Sequence, residues 1–300
     1  MKYKIPGLRC DRAGLGAGGR SCRMIDYHTH VGEAAHYSEE FLTEGFKMRG
    51  APALKTTLDQ HYAAMAPARR AIVLAFRSRH LGFEVPNDYV ANYCRRDPAK
   101  LIGFASVDPH DGHALVELKD CIERKGMRGL KTSAIYQAYD PMDERMLPIY
   151  RYCEANGVPI LTHQGTTFPR RAPLKWAHPE QIERVALAFP ELRIIIAHLG
   201  HPWETETISV IRKHEHVFAD ISALHYRPWQ LYNSLMLCME YGVWHKLIFG
   251  TDYPVTTIEE TLSGLAKLVG YAERMPFPGF DASDIDALVH NDVLAELNLL

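Results

Sequence analysis

The sequence predicts an α/β fold, a single (β/α)8 barrel, from three observations. First, strand-like runs of apolar residues alternate with amphipathic stretches from Met24 onward, which is typical of repeated βα units and a parallel sheet. Second, most of these runs are largely apolar, as expected for strands that are buried on both faces. Third, eight such runs occur, and eight parallel strands are the number that closes a barrel.

The helical pattern between the predicted strands is clearest over residues 114–126, 147–157 and 179–191. Gly126 and Gly157 end two of these stretches, where a helix terminus favours a residue that tolerates positive φ. The tail from residue 281 predicts one or two closing helices packed on the barrel, with Ser283 as an N-cap. The predicted strands cover residues 24–28, 71–76, 101–107, 128–133, 158–163, 193–198, 217–222 and 246–252.

The domain organisation follows from a change in composition near the start of the chain. Residues 1–23 mix glycines with arginines and offer few side chains to bury, so we expect a flexible N-terminal leader there. Residues 24–300 contain no solenoid-length repeat and no low-complexity segment. We therefore expect one barrel domain over 24–300, completed by the C-terminal helices.

The composition excludes several classes of function. A chain of 300 residues with 47% hydrophobic and 23% charged residues is ordinary for a globular protein. A formal net charge of −2 leaves no basic excess for nucleic acid or for a membrane surface. The six cysteines show no C-x-x-C spacing, which favours free thiols. With no apolar span and no signal sequence, the sequence predicts a cytoplasmic protein.

Four predicted strands end in histidine or aspartate, at residues His28 and His30, His163, His198, and Asp252. The two histidines of an H-x-H sequence share one face of a strand and can bind one ion. Each position also has a simpler interpretation: a polar strand end, a buried neutral histidine, or a turn. In a barrel, however, all four strand ends meet at the rim where active sites lie, so their convergence favours a metal site.

These residues belong to a set of motifs that resembles the amidohydrolase superfamily, in the group containing aminocarboxymuconate semialdehyde decarboxylase and related hydrolases and decarboxylases. The resemblance spans about residues 24–298. It implies a distorted (β/α)8 TIM barrel with one divalent ion, usually Zn²⁺. Imidazole and carboxylate ligands also suit Mn²⁺. It implies His28, His30, His163 and Asp252 as the ligands, and His198 as the catalytic histidine beside the metal. The motifs are IDYHTH (25–30), VPNDYV (85–90), LIGFASVDP (101–109), GVPILTH (157–163), IIIAHLG (194–200) and GTDYP (250–254).

Two reactions are compatible with this set of residues. In a hydrolase of a small lactone, ester or amide, water activated by the ion attacks the carbonyl, Asp252 acts as general base and His198 stabilises the oxyanion. In a decarboxylase of a small aromatic or unsaturated acid, the ion holds the carboxylate and Asp252 helps to protonate the ring carbon. The H-Q-G sequence at 163–165 and the strand-end Lys131 favour the hydrolase. A non-catalytic metal-containing binding barrel is a third hypothesis, which the complete ligand set disfavours.

Further side chains are candidates for substrate and metal binding. Lys131, at the end of the fourth predicted strand, could be carboxylated and bridge a second metal, or could serve only for solubility. His201 could contact substrate or cap the turn that follows His198. Loop aromatics and cations suit a small anionic or aromatic substrate, and each arginine among them could equally be a solvated loop charge. The resemblance implies a homodimer. The substrate-binding candidates are Arg79, Tyr136, His201 and Arg227.

Overall fold

The computed structural model describes residues 24–49, 55–274 and 279–300, and it confirms the distorted (β/α)8 barrel. Eight parallel strands lie in the order β1-β2-β5-β6-β7-β8-β9-β10, and β3 and β4 form a separate antiparallel hairpin. The strands of the described residues are β1 (Ile25–His30), β2 (Arg70–Leu74), β3 (Phe76–Ser78), β4 (Phe83–Val85), β5 (Leu101–Ser106), β6 (Gly129–Thr132), β7 (Ile160–Thr162), β8 (Ile194–Ile196), β9 (Val217–Asp220) and β10 (Leu247–Ile248).

Helices surround the barrel and include the three that the sequence predicts, which are α4 (Ala114–Glu123), α6 (Leu147–Ala155) and α7 (Glu180–Ala188). Gly126 and Gly157 adopt φ of 72° and 62° beyond the ends of α4 and α6, as their positions predict. The helices of the described residues are α1 (Glu39–Arg49), α2 (Leu58–Ala64), α3 (Asn87–Cys94), α4 (Ala114–Glu123), α5 (Ala134–Gln137), α6 (Leu147–Ala155), α7 (Glu180–Ala188), α8 (Glu204–Lys213), α9 (Pro228–Glu240), α10 (Ile258–Ala272) and α11 (Ala282–Val289). None of these described helices combines the length and the apolar character needed to cross a membrane.

The barrel closes between its first and last strands through three backbone hydrogen bonds. Tyr27 N donates to Phe249 O (3.0 Å), Asp252 N donates to His28 O (2.8 Å), and His30 N donates to Tyr253 O (2.7 Å). We call this junction, residues 27–30 against residues 249–253, the seam. It sets the register between the H-x-H sequence on one side and Asp252 on the other.

The C-terminal segment closes the opposite end of the barrel. Val293, Leu294 and Leu297 pack with the apolar side chains that point into the barrel from β1, β2, β5 and β7–β10. Tyr27 extends through this interior, and its hydroxyl accepts a hydrogen bond from Val293 N (2.9 Å). The prediction of a closing helix is confirmed in α11, but Ser283 lies inside that helix. The N-cap is Asp281, whose carboxylate accepts hydrogen bonds from the backbone of residues 283 and 284.

Two further differences from the sequence prediction have simple physical causes. The apolar run 71–76 predicts one strand, whereas β2 ends at Leu74 and Phe76 begins the β3–β4 hairpin. Burial on both faces makes the two strands indistinguishable by pattern. The observed strands are also shorter, so that His163, His198 and Asp252 follow β7, β8 and β10 by one to four residues. The predicted leader over residues 1–23 lies outside the described residues.

Candidate active site

Three of the four predicted ligands meet at the carboxyl ends of the strands. His28 Nε2 lies 3.2 Å from His30 Nε2 and 3.4 Å from Asp252 Oδ1, and His30 Nε2 lies 3.3 Å from the same oxygen. Four donors at about 2.05 Å around a tetrahedral ion stand about 3.3 Å apart from one another. The spacing of these three atoms therefore fits a single divalent ion, and imidazole with carboxylate is a donor set that suits Zn²⁺ or Mn²⁺.

His163 and His198 stand next to this group. The ring of His198 lies 4.9 Å from that of His28 and 5.0 Å from that of His163. Ligand atoms of His28, His198 and Asp252 lie within 4.8 Å of one another, so His198 also belongs to a group of side chains that could hold a metal ion. His163 Nε2 is 3.3 Å from Thr166 O. The division into four ligands and one catalytic histidine thus stays a prediction.

Two of these residues occupy unusual backbone conformations. His198 and Asp252 have φ of 56° and 60°, in the left-handed region that non-glycine residues rarely adopt. Such conformations cost about 1–3 kcal/mol each and persist where the surrounding structure enforces them, commonly at functional sites. His198 follows β8 by two residues and Asp252 follows β10 by four, and both side chains line the cavity at the barrel mouth.

Asp220 and Ser222 form a buried network that the sequence did not reveal. Asp220 Oδ2 accepts a hydrogen bond from His28 Nδ1 (2.8 Å), and Asp220 Oδ1 accepts from Ser222 Oγ (2.5 Å) and from His198 N (2.9 Å). A carboxylate can only accept, so His28 carries its proton on Nδ1 and keeps a lone pair on Nε2 for a metal. The sequence does contain one indication of this network. Asp220 ends the apolar run VFAD, and an aspartate buried there needs a hydrogen-bonding partner.

Ser222 extends this network to His198. Its hydroxyl donates to Asp220, so it accepts from His198 Nδ1 at 2.8 Å, and the carbonyl of Ser222 lies 3.1 Å from the same nitrogen. His198 Nδ1 is therefore a donor, and Nε2 is the nitrogen left for the cavity. Asp220 orients both histidines, one directly and one through Ser222.

Burial controls the charge of the site. It lowers the pKa of His28 to about 4, and it also lowers the pKa values of His30 and His163, so these imidazoles are neutral and able to bind a metal near pH 7. For Asp252, burial opposes the charged form. The adjacent His28 and the hydrogen bond to His30 outweigh that effect and hold the pKa below its usual range. The carboxylate is ionised at neutral pH.

Lys131 lies beside the same group and is buried. Its Nζ is 3.4 Å from His28 Nε2 and 5.4 Å from the centre of the Phe76 ring. Burial lowers the pKa of this amine to about 8, although the charges of Asp252 and Asp220 act in the opposite direction. The neutral amine, which is the form that can be carboxylated, is thus accessible near neutral pH. Its role as a bridge to a second metal remains a prediction.

A cavity of about 230 Å³ opens above these residues. Three of the predicted substrate-binding residues, Tyr136, His201 and Arg227, line it, and Arg227 lies over the ring of Tyr226 at 4.6 Å. Their contact with a substrate stays a prediction. Arg79 does not line the cavity. Arg79 lies between β3 and β4 in the hairpin. There its backbone nitrogen donates to Asp108, and its side chain is 59% exposed. The aromatic side chains of the wall are Tyr37, Phe41, Phe76, Tyr136, Phe168 and Tyr226.

The H-Q-G sequence after β7 has a structural explanation. The Gln164 amide donates to the carbonyls of Trp176 and His178 and is buried away from the cavity. Gly165 has φ of 91°, and a Cβ there would lie 2.1 Å from His201 O. Gln164 and Gly165 therefore shape the loop that carries Thr166 and Phe168, and they give no support to hydrolysis over decarboxylation.

Because its histidines are held neutral, the metal-free protein should lose stability in mild acid. The unfolded chain protonates imidazole below about pH 6.5, whereas the pKa of His28 is about 4 and that of His201 about 3. The free energy of unfolding therefore falls as pH drops from 6.5 toward 4, by about 1.4 kcal/mol per pH unit for each such group. Burial raises the pKa of Asp26 to about 7, which acts in the opposite direction over the same range.

Burial also lowers the pKa of His61 to about 3. Less the opposing effect of Asp26, these three histidines predict that chelator-treated protein is at least about 2 kcal/mol less stable at pH 5.5 than at pH 7.5. The lowered pKa values of His30 and His163 act in the same direction and add to this difference. Urea unfolding followed by circular dichroism at the two pH values measures this difference. Equal or greater stability at pH 5.5 would show that the histidines are not held neutral.

Comparison with known proteins gives one family and one fold. The family model described as Amidohydrolase matches residues 25–291. No curated protein matches the chain significantly. An uncharacterised TIM-barrel protein from Bordetella bronchiseptica is 20% identical, with a TM-score of 0.66 over 92% of this chain and 99% of that one.

Two further solved structures share this fold. A probable 2-pyrone-4,6-dicarboxylic acid hydrolase from Acinetobacter baumannii, with citric acid bound, is 18% identical with a TM-score of 0.65, over 92% of this chain and 99% of that one. A 5-carboxyvanillate decarboxylase from Novosphingobium aromaticivorans, in complex with manganese and 4-hydroxy-3-methoxy-5-nitrobenzoic acid, is 14% identical with a TM-score of 0.62, over 92% and 96%. With the family model matching nearly the whole described chain, the protein belongs to the amidohydrolase family.

Proposed function

We propose that this protein is a metal-dependent hydrolase of a small lactone, ester or amide. The observation that supports this most is the floor of the cavity, where the ionised carboxylate of Asp252 lies within 3.4 Å of two neutral imidazole nitrogens. His28, His30, His163 and Asp252 would hold one divalent ion, Zn²⁺ or Mn²⁺. When bound, the ion would act as a Lewis acid toward a substrate carbonyl and would make water more acidic.

Asp252 and His198 divide the proton chemistry. Asp252 faces the cavity as an ionised carboxylate, so it takes the proton of the attacking water and returns it to the leaving group. His198 Nδ1 donates to Ser222, which leaves Nε2 toward the substrate. His198 faces the cavity beside Asp252, and we assign to it the stabilisation of a developing oxyanion.

Decarboxylation of a small aromatic acid is the second candidate, and the wall of the cavity favours it. Phe76, Tyr136 and Phe168 could pack against a planar ring, while Arg227 and Lys131 provide cations for a carboxylate. In this reaction Asp252 first takes a proton from a substrate hydroxyl or from water and then passes it to the ring carbon, whose bond to the carboxylate breaks as CO₂ leaves. The solved relatives include both a probable hydrolase and a decarboxylase, so the two proposals are compared directly by experiment.

The deciding experiment presents the Mn²⁺-loaded and the Zn²⁺-loaded protein with two panels of compounds. One contains aryl lactones, esters and anilides, and the other contains carboxylated dihydroxybenzenes. We expect acid release from the first panel, measured with a pH indicator, and no CO₂ from the second. CO₂ release with an inert first panel would replace the hydrolase by the decarboxylase.

Elemental mass spectrometry of the parent and of a His163→Ala variant controls for the metal. We expect about one ion per chain in the parent and a reduced content in the variant. Two ions per chain would instead support Lys131 as a bridge. A parent that binds neither ion after reconstitution would contradict the metal centre and both reactions with it.

A further inference from the structure

We propose that His61 is a positioning residue that fixes the seam of the barrel and thereby sets the spacing between the candidate ligands on its two sides. The inference rests on the proposed metal centre. His61 contacts Thr29 on one side of the seam and Tyr253 on the other. Each of these is the chain neighbour of a candidate ligand.

The burial of His61 is unusual for the helix that carries it. α2 has the sequence LDQHYAA, and His61 is the one buried residue of these seven, with no exposed surface. A helix that only packs against the barrel would bury an apolar side chain, since a buried imidazole is costly unless both its nitrogens are hydrogen-bonded. Both are: Nδ1 lies 2.8 Å from the Tyr93 hydroxyl and Nε2 lies 2.9 Å from Thr29 Oγ1.

Tyr93, His61, Thr29 and the carbonyl of Ile72 form a continuous series of hydrogen bonds, and the direction of each bond can be assigned. Thr29 Oγ1 lies 2.6 Å from the carbonyl of Ile72, which can only accept, so the threonine donates there and must accept from His61 Nε2–H. His61 Nδ1 then accepts from Tyr93. Burial lowers the pKa of His61 to about 3, so the ring is neutral. A neutral imidazole has one donor and one acceptor, as this series of hydrogen bonds requires.

The partners of His61 are placed where they affect the ligands. Thr29 separates His28 from His30 along β1. On the opposite side, the His61 ring packs edge-on against Tyr253 with 5.6 Å between centroids, and Tyr253 O accepts the backbone hydrogen bond from His30 at 2.7 Å. His61 thus contacts both sides of the seam. A shift of a few tenths of an ångström there would change the 3.2–3.4 Å spacing of the donor atoms.

Two amide variants separate positioning from packing. The amide of His61→Gln reaches the position of Nε2 and can still donate to Thr29. The shorter side chain of His61→Asn ends near Nδ1, so it retains only the Tyr93 partner. We expect the Kd for Mn²⁺, titrated into chelator-stripped full-length protein, to rise about 10–100-fold in His61→Asn and to stay within about threefold in His61→Gln, in line with losses on removing supports of metal ligands.

Thermal unfolding of the same metal-free proteins identifies a merely structural effect. We expect both variants to lower Tm by similar amounts, whereas only His61→Asn should lose affinity for Mn²⁺. Equal Mn²⁺ affinity in the parent and His61→Asn, or equal losses of affinity in both variants, would overturn the inference. A parent that binds no Mn²⁺ would instead contradict the metal centre on which it rests.

Thr29→Val provides the test if His61→Asn does not fold. It keeps a branched side chain on β1 but removes the oxygen that accepts from His61 Nε2–H, so that His61 loses its hydrogen bond to this side of the seam. A rise in Kd of about 3–10-fold, smaller than for direct loss of the support, is expected. An unchanged Kd in a folded Thr29→Val protein would overturn the inference.

Discussion

Asp252→Asn should abolish turnover while leaving the metal largely in place. Asparagine keeps an oxygen that can bind an ion, but it cannot accept a proton from water or return one to a leaving group. General acid–base catalysis contributes about 10²–10⁴-fold to rate, so kcat on whichever substrate the parent turns over should fall by about that factor. Metal content by elemental mass spectrometry and kcat by the product assay, measured on the same preparation, check the two parts of this prediction.

The matched control is Asp59→Asn, which makes the same chemical change at a surface aspartate whose side chain is 85% exposed and whose partner is Arg96. We expect parental kcat and metal content in this variant, since exposed ion pairs contribute little. An Asp252→Asn protein that binds metal and retains kcat within about tenfold of the parent would refute the proton-transfer role. Loss of the metal itself would instead show that the charge of Asp252 is needed for binding.

The barrel was predictable from sequence because its main signal is local. A buried parallel strand is a short apolar run, and a polar residue at its end must lie at the barrel mouth, which is how His163 and His198 were identified. Gly126 and Gly157 were likewise identified from local backbone preferences. Each inference needed only a few neighbouring residues.

The features that the sequence does not predict depend on contacts between distant parts of the chain. Asp220 acts through His28, 192 residues away, and nothing near either residue in sequence indicates the pairing. His61 lies in a helix without an amphipathic pattern, and its partners come from β1 and α3. Arg79, a predicted substrate-binding residue, lies outside the cavity because it belongs to the β3–β4 hairpin, which begins inside an apolar run that looks like one strand.

Asp220 also gives the metal centre a test that is independent of any substrate. Its carboxylate is fully buried. It accepts hydrogen bonds from His28 Nδ1, from Ser222 Oγ and from the backbone nitrogens of residues 198 and 222. Asp220→Asn removes the charge and replaces one acceptor oxygen with an NH₂ donor. The proton of His28 is then no longer held on Nδ1, so the lone pair on Nε2 that would bind the metal is not enforced.

We expect Asp220→Asn to weaken Zn²⁺ or Mn²⁺ binding by about 10–100-fold and to lower the free energy of unfolding by about 1–3 kcal/mol, because at least one buried hydrogen-bonding group loses its partner. Competitive titration against a chelator and urea unfolding of the metal-free protein measure the two effects. Ser222→Ala is the matched comparison: it removes the link to His198 but leaves His28 paired with Asp220, so its effect on metal affinity should be smaller. Equal affinity in the parent and Asp220→Asn would show that Asp220 supports the fold and not the ligand, whereas a larger loss in Ser222→Ala would place the main metal contact at His198.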